Sequence, residues 1–227
     1  MYFVPFLFIA TLIGYAQAQT PKGFTPSVNT KLKVLFNDTS VKTPGQLLTK
    51  AETASQPQIA FDSTKLCSNE TYMFVMLDLD VPPAQGNTTR RVLLHALNTG
   101  FKATQQPAGG SDTLLVSSSK GPAPYLSPGP PPTDTIPHRY VQLLFKQPED
   151  FSLKASDFAD TGARFNFDIT SFMSKNGVCA PLAGNFFTVD GRANATAGRT
   201  ASPTGSVKKN VLRRVRVRQG KHKRHMG

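Results

Sequence analysis

Tryptophan is absent, and only two cysteines occur in 227 residues, which excludes a disulfide-dense scaffold. No CxxC pair is present to suggest a zinc knuckle or a thiol redox centre. No apolar run reaches the roughly 20 residues that a membrane-spanning helix needs, and no G-x-S-x-G marks a nucleophile elbow. Charge is sparse at 18% of residues and unevenly spread, with none in residues 1–18 and no acid after Asp190. What the chain does hold is 18 prolines and 17 glycines with 39% hydrophobic residues, enough for one loop-rich or β-rich domain with a real core.

A net charge of +12 invites a nucleic-acid reading, but its position argues otherwise. Of the 26 basic residues, 11 lie after Asp190, leaving 15 against 14 acidic residues in the rest. The basicity belongs to a tail. Within that tail, residues 191–227, the run from Thr200 to Gly227 has Ser, Pro and Gly first and continues through Lys208-Lys209, Arg213-Arg214 and Lys223-Arg224, too apolar-poor and too like-charged to collapse, and is expected to be disordered. Adhesion to an anionic surface, proteolytic processing at dibasic pairs, and a solvated extension without a partner all stay open for it.

At the other end, the apolar stretch from Met1 to Ile13 leads to Ala16-Gln17-Ala18, an A-x-A site that reads as a secretory leader over residues 1–18. Secretion to the exterior, a vacuole or a cell wall follows from that reading, without a transmembrane anchor. In an oxidising compartment Cys67 and Cys179 are expected to pair, two unlinked buried thiols being the alternative. Four sequons, at Asn37, Asn69, Asn87 and Asn194, fit the same compartment as glycosylation acceptors.

The body, residues 19–190, carries strand signals. Residues 31–36 alternate polar and apolar ahead of the turn signal Asn37-Asp38, and 58–61 form a short strand after Pro57. Residues 71–77 form a continuous apolar run, as in a strand buried on both faces, and 91–97 and 139–145 are two further strands. Only 153–158 and 169–175 look helical. The expected fold is mainly β and antiparallel, with short helices toward its C-terminal end.

The chemistry-bearing side chains cluster at strand ends. Asp78 and Asp80 close the most hydrophobic strand, His95 interrupts another, and His138 and Tyr140 share one face at the start of a third. The proline-dense stretch 122–132 cannot be regular helix or sheet and forms a stiff loop leading into His138. Carboxylates beside imidazoles stabilise imidazolium. Two such histidines, a tyrosine hydroxyl and a Gly-Pro loop would make an anion pocket suited to phosphate or carboxylate. A satisfied core role for His95 and a capping role for the two aspartates remain alternatives. Spacing alone does not bring the segments together.

A resemblance does. Asp78-Leu79-Asp80-Val81-Pro82 with Leu93-Leu94-His95 is similar to the first signature of the phosphatidylethanolamine-binding protein family, which is also known for Raf kinase inhibitor proteins, flowering regulators and a carboxypeptidase Y inhibitor. Tyr125-Leu126-Ser127-Pro128-Gly129-Pro130-Pro131 followed by Pro137-His138-Arg139-Tyr140-Val141-Gln142-Leu143-Leu144-Phe145 resembles the second. The stretches Arg164-Phe165-Asn166-Phe167 and 179–187 are similar to the family's C-terminal part, so the likeness covers about Lys31 to Val189. Leu79 and Val81 depart from the usual Pro and Ala, and no aromatic residue follows His95.

The resemblance implies a central antiparallel sheet packed on a second small sheet, and a pocket lined by Asp78, Asp80, Pro82, His95, Gly129, Pro130, His138 and Tyr140. It implies a non-catalytic binder of anionic phospholipid headgroups or phosphate-like molecules, with no cofactor and no metal. Inhibition of a serine carboxypeptidase or other protease is the alternative. An acid–base enzyme ranks lower, because Asp-x-Asp with distant histidines matches no metal motif.

Overall fold

The computed structural model describes residues 17–192. The expected leader, the sequon at Asn194 and the basic tail lie outside the described residues, apart from Gln17, Ala18, Gly191 and Arg192. Nine strands follow one another as β1 (Lys33–Phe36), β2 (Thr39–Ser40), β3 (Gln46–Leu48), β4 (Gln58–Asp62), β5 (Tyr72–Val81), β6 (Arg91–Pro107), β7 (Asp112–Val116), β8 (His138–Lys146) and β9 (Ala183–Val189). One α-helix, α1 (Ile169–Lys175), and three 3-10 turns complete the elements, so the helix expected over 153–158 is a 3-10 turn, Ala155–Phe158.

The strands join in the order β2-β1-β4-β7-β6-β5-β8-β9-β3, antiparallel except for the parallel pair β3 and β9. The second small sheet is thus a continuation of the first. β6 is 17 residues long and serves both, pairing with β5 up to Phe101 and with β7 from Lys102 onward. Gly100, at φ +74°, supplies the conformation a side chain would resist just where the strand changes partner.

Alternation along β5 explains the two cores. Tyr72, Phe74 and Met76 face a cluster with Val34, Phe36, Ile59, Phe61, Tyr140, Leu144 and Phe187, held between the two halves of the sheet. Met73, Val75 and Leu77 face the other side, with Val141, Leu143, Phe145 and the α1 residues Ile169 and Phe172. A strand packed on both faces has to read as continuous apolar sequence, and each such side chain contributes about 1.5–3 kcal/mol of burial. Asp168 caps α1 by accepting from the Thr170 and Ser171 amides.

Cys67 and Cys179 are exposed free thiols, so the expected bridge is not formed. The strands they lead into, β5 and β9, flank β8 on opposite sides. Asn37, Asn69 and Asn87 are exposed. No helix among the described residues is long and apolar enough to cross a membrane.

Candidate functional site

Asp78 faces Tyr140 across the β5–β8 ladder, the last registered pair of that ladder. His138 lies two residues before Tyr140 on the same strand face, so the Asp78 carboxylate meets the His138 ring, Nδ1 donating to Oδ2 at 2.8 Å. Asp78 Oδ1 accepts the Asp80 amide at 2.8 Å. Beyond this pair the ladder has ended, and the Asp80 carboxylate takes the Arg139 amide at 2.9 Å and the Arg139 guanidinium in a two-point contact, each at 2.8 Å. Asp80 is therefore a strand-end clamp for Arg139 and is not part of the cavity lining.

His95 reaches the site through a bulge. Met76 pairs with Ala96 and Leu77 with Leu94, leaving His95 as the extra residue of β6. A bulge re-aims a side chain, and here the His95 ring packs edge-on against Tyr140 with centroids 5.2 Å apart. Its Nδ1 lies 2.9 Å from the Leu126 carbonyl, and the Leu126 amide donates back to the His95 carbonyl at 2.8 Å. That reciprocal pair fastens the proline-rich loop along β6. Tyr125 ties the same loop to the Thr53 carbonyl at 2.7 Å, and the buried Arg164 donates to the Pro124 carbonyl at 2.8 Å. Gly191 abuts the Pro130 and Pro131 carbonyls with no room for a Cβ atom.

Between these elements lies a cavity of about 310 Å³, lined by Asp78, Pro82, His95, Gly129, Pro130 and His138, with Val81, Leu93, Leu126, Ser127 and Pro131 completing its wall. Six of the eight residues named from sequence thus share one cavity. Tyr140, fully buried, lies against His95 without lining it. A larger cavity of about 450 Å³ opens among Phe24, Leu77, Leu79, Val92, Phe167 and Ile169, but no unpartnered buried polar atom belongs to its walls. Among the described residues, no group of three or more His, Cys, Asp or Glu could hold a metal ion.

Two residues of the site were not anticipated. Asp134, 8% exposed, places Oδ2 at 2.8 Å from His138 Nε2, on the opposite side of the ring from Asp78. Arg90 grips the same carboxylate at 2.7 and 2.8 Å and also donates to the Asp80 carbonyl. A signal for Asp134 is present in the sequence, since it is the only acid between Asp112 and Glu149 and stands four residues before His138.

The electrostatics separate the two histidines. Both partners of the His138 ring are carboxylates, which only accept, so both ring nitrogens donate and the ring is an imidazolium. Burial opposes that charge, but Asp78 and Asp134 outweigh it and raise the His138 pKa. Arg90 holds Asp134 well below the usual carboxylate range. Burial pushes Asp80 up, and the Arg139 hydrogen bonds and charge more than reverse it. For His95, burial outweighs the Leu126 carbonyl and the Asp78 charge and pushes the ring down, toward the neutral form. With Nδ1–H given to a carbonyl, neutral His95 presents a lone pair at Nε2. That atom is buried without a hydrogen-bond partner, 3.9 Å from Asp78 Oδ2. The Tyr140 hydroxyl is likewise buried, near the Asp78 carboxylate and the Gly129 backbone, and burial, reinforced by the Asp78 charge, raises its pKa far enough to keep it protonated.

Comparison with known proteins bears on the family and the fold. The model of the family described as phosphatidylethanolamine-binding protein matches residues 38–187. The phomoidride biosynthesis cluster protein N of Talaromyces stipitatus is 34% identical over 198 residues, 80% of this chain and 95% of that one. A 26 kDa secreted antigen of Toxocara canis is 27% identical over 170 residues, 74% of this chain and 59% of that one. Among solved structures, that of carboxypeptidase Y inhibitor complexed with the cognate proteinase matches with a TM-score of 0.56 at 22% identity, covering 72% of this chain and 84% of that chain.

The His138 pairing sets a pH dependence of stability. A folded-state pKa raised above the unfolded value contributes stability that is full below about 6.5 and is lost as pH rises through the raised value. In urea denaturation, His138→Gln should cost about 3–5 kcal/mol near pH 6, with a gap from wild type that narrows as pH rises toward 9. A gap that is constant or widens with pH would contradict the imidazolium assignment.

Proposed function

The chain belongs to the phosphatidylethanolamine-binding protein family, and on that premise we propose that it is a secreted, non-catalytic binding protein whose ligand is a small phosphate- or carboxylate-bearing headgroup held in the cavity between His95 and the Gly129–Pro131 loop. The observation that carries this reading is a buried polar atom without a partner, His95 Nε2, on a residue that lines a preformed cavity. Each unpartnered buried atom costs about 1–3 kcal/mol. A ligand that supplies the missing hydrogen bond recovers that cost without rearranging the loop. The loop has little freedom left to lose, because prolines, the Leu126–His95 pair and the Tyr125 contact already fix it.

Secretion is supported by the leader composition, by exposed sequons at Asn37, Asn69 and Asn87, and by similarity to a protein described as a secreted antigen. The expectation of no catalysis rests on how the site's groups are used. Both nitrogens of His138 are committed to carboxylates, and Asp80 is committed to Arg139.

A second reading is favoured by the structural match to a carboxypeptidase Y inhibitor, which shares the fold at 22% identity. On that reading the partner is a serine carboxypeptidase and the contacts are between protein surfaces.

Calorimetric titration of the full chain with phosphorylethanolamine and inorganic phosphate tests the first reading. His95→Ala should weaken binding by about tenfold or more, and heats equal to wild type in that variant would remove the pocket from the account. For the second reading, purified protein at micromolar concentration should suppress carboxypeptidase Y hydrolysis of a peptide substrate. Unchanged turnover would dismiss it for that enzyme.

A further inference from the structure

The proposed pocket has an unusual internal balance. Three carboxylates, Asp78, Asp80 and Asp134, meet three cations, His138, Arg90 and Arg139, through direct contacts. Asp134 consumes the Nε2–H of His138, Asp78 consumes the Nδ1–H, and neither donor is left for a bound molecule. What the cavity offers is the His95 lone pair at Nε2, with an Asp78 oxygen 3.9 Å from it, and across from it the uncharged loop wall at Ser127 and Gly129. The one atom that needs a donor thus stands beside a full negative charge.

We propose that the cavity accepts hydrogen phosphate, or a phosphomonoester that still carries one proton, and turns away anions with no proton to give. The P–OH donates to His95 Nε2, and the phosphoryl oxygens face the loop wall at Ser127 and Gly129. Asp134, held by Arg90, is the specificity residue, because it occupies the Nε2–H of His138, the one cationic donor among the residues that line the cavity. The inference rests on the anion-pocket reading above and narrows it from phosphate or carboxylate to protonated phosphate. The physical basis is that a site with a fixed acceptor leaves that acceptor unpaired, and facing negative charge, when the ligand lacks the matching hydrogen. Sulfate has the same shape as phosphate and no proton near neutral pH, so it isolates this one difference.

The test is calorimetric titration of the full chain at pH 7 with inorganic phosphate and, separately, sulfate, in wild type, His95→Ala, Asp134→Asn and Asp134→Ala, with circular dichroism confirming that each is folded. Heats that persist in His95→Ala are assigned to sites outside the pocket, the basic residues after Gly191 among them. Wild type should bind phosphate at least about tenfold more tightly than sulfate in the His95-dependent component. Asp134→Ala should gain sulfate binding by a similar factor, and Asp134→Asn, which keeps the shape, should gain less. Equal phosphate and sulfate affinity in wild type would overturn the proton requirement while leaving the pocket intact. Sulfate still refused by both Asp134 variants would overturn the role of Asp134. No His95-dependent heat with phosphate would remove the pocket and the inference together.

Discussion

The His138 ring lies between two carboxylates, Asp78 on β5 and Asp134 in the loop before β8, each 2.8 Å from one of its nitrogens. Both contacts are buried, so each charge depends on the others for the solvation that water would supply. Asp134 in turn needs Arg90, which reaches from the β5–β6 connection to grip it. Asp78 holds the Asp80 amide, and Asp80 holds Arg139. One imidazolium thus ties together the ends of β5 and β8, the segment before β6 and the proline-rich loop. Those are the segments that build the cavity wall.

The same interaction decides what the cavity can do. If His138 had a free N–H, the site would offer a cationic donor and suit any small anion. With His138 satisfied from within, the buried polar atom left open in the wall is His95 Nε2, held where it is by the bulge in β6. The fold contributes rigidity more than charge. The reciprocal His95–Leu126 hydrogen bonds and the contact of Gly191 with the Pro130 and Pro131 carbonyls fix the loop before any ligand arrives.

Much of this was readable in the residue pattern, and the parts that were not have definite causes. β5 and β8 were legible because both faces are buried, and apolar runs bounded by Asp78 and His138 leave little alternative. The loop was legible from proline alone. β9 was not, because Gly184 and Asn185 interrupt a strand whose partner β3 runs parallel from far away in sequence. The Cys67–Cys179 bridge was expected from secretion, which argues for pairing in general and says nothing about where the fold puts these two loop residues, each an exposed free thiol. Asp80 was grouped with the cavity because it closes the same strand as Asp78 and stands in the same family signature, but neither reports that the ladder stops and Arg139 intervenes. Asp134 and Arg90 were missed because a 44-residue separation hides an ion pair that only the folded loop creates.

The central claim is that the two histidines of one site are held in opposite protonation states by their surroundings. Nitrogen-15 NMR of the imidazole rings in the full-length protein at pH 7, with His95 and His138 assigned by single substitution, measures this directly. The account predicts a His138 ring with protons on both nitrogens and a neutral His95 ring with its proton on Nδ1. A neutral His138, or a charged His95 in the ligand-free protein, would contradict it.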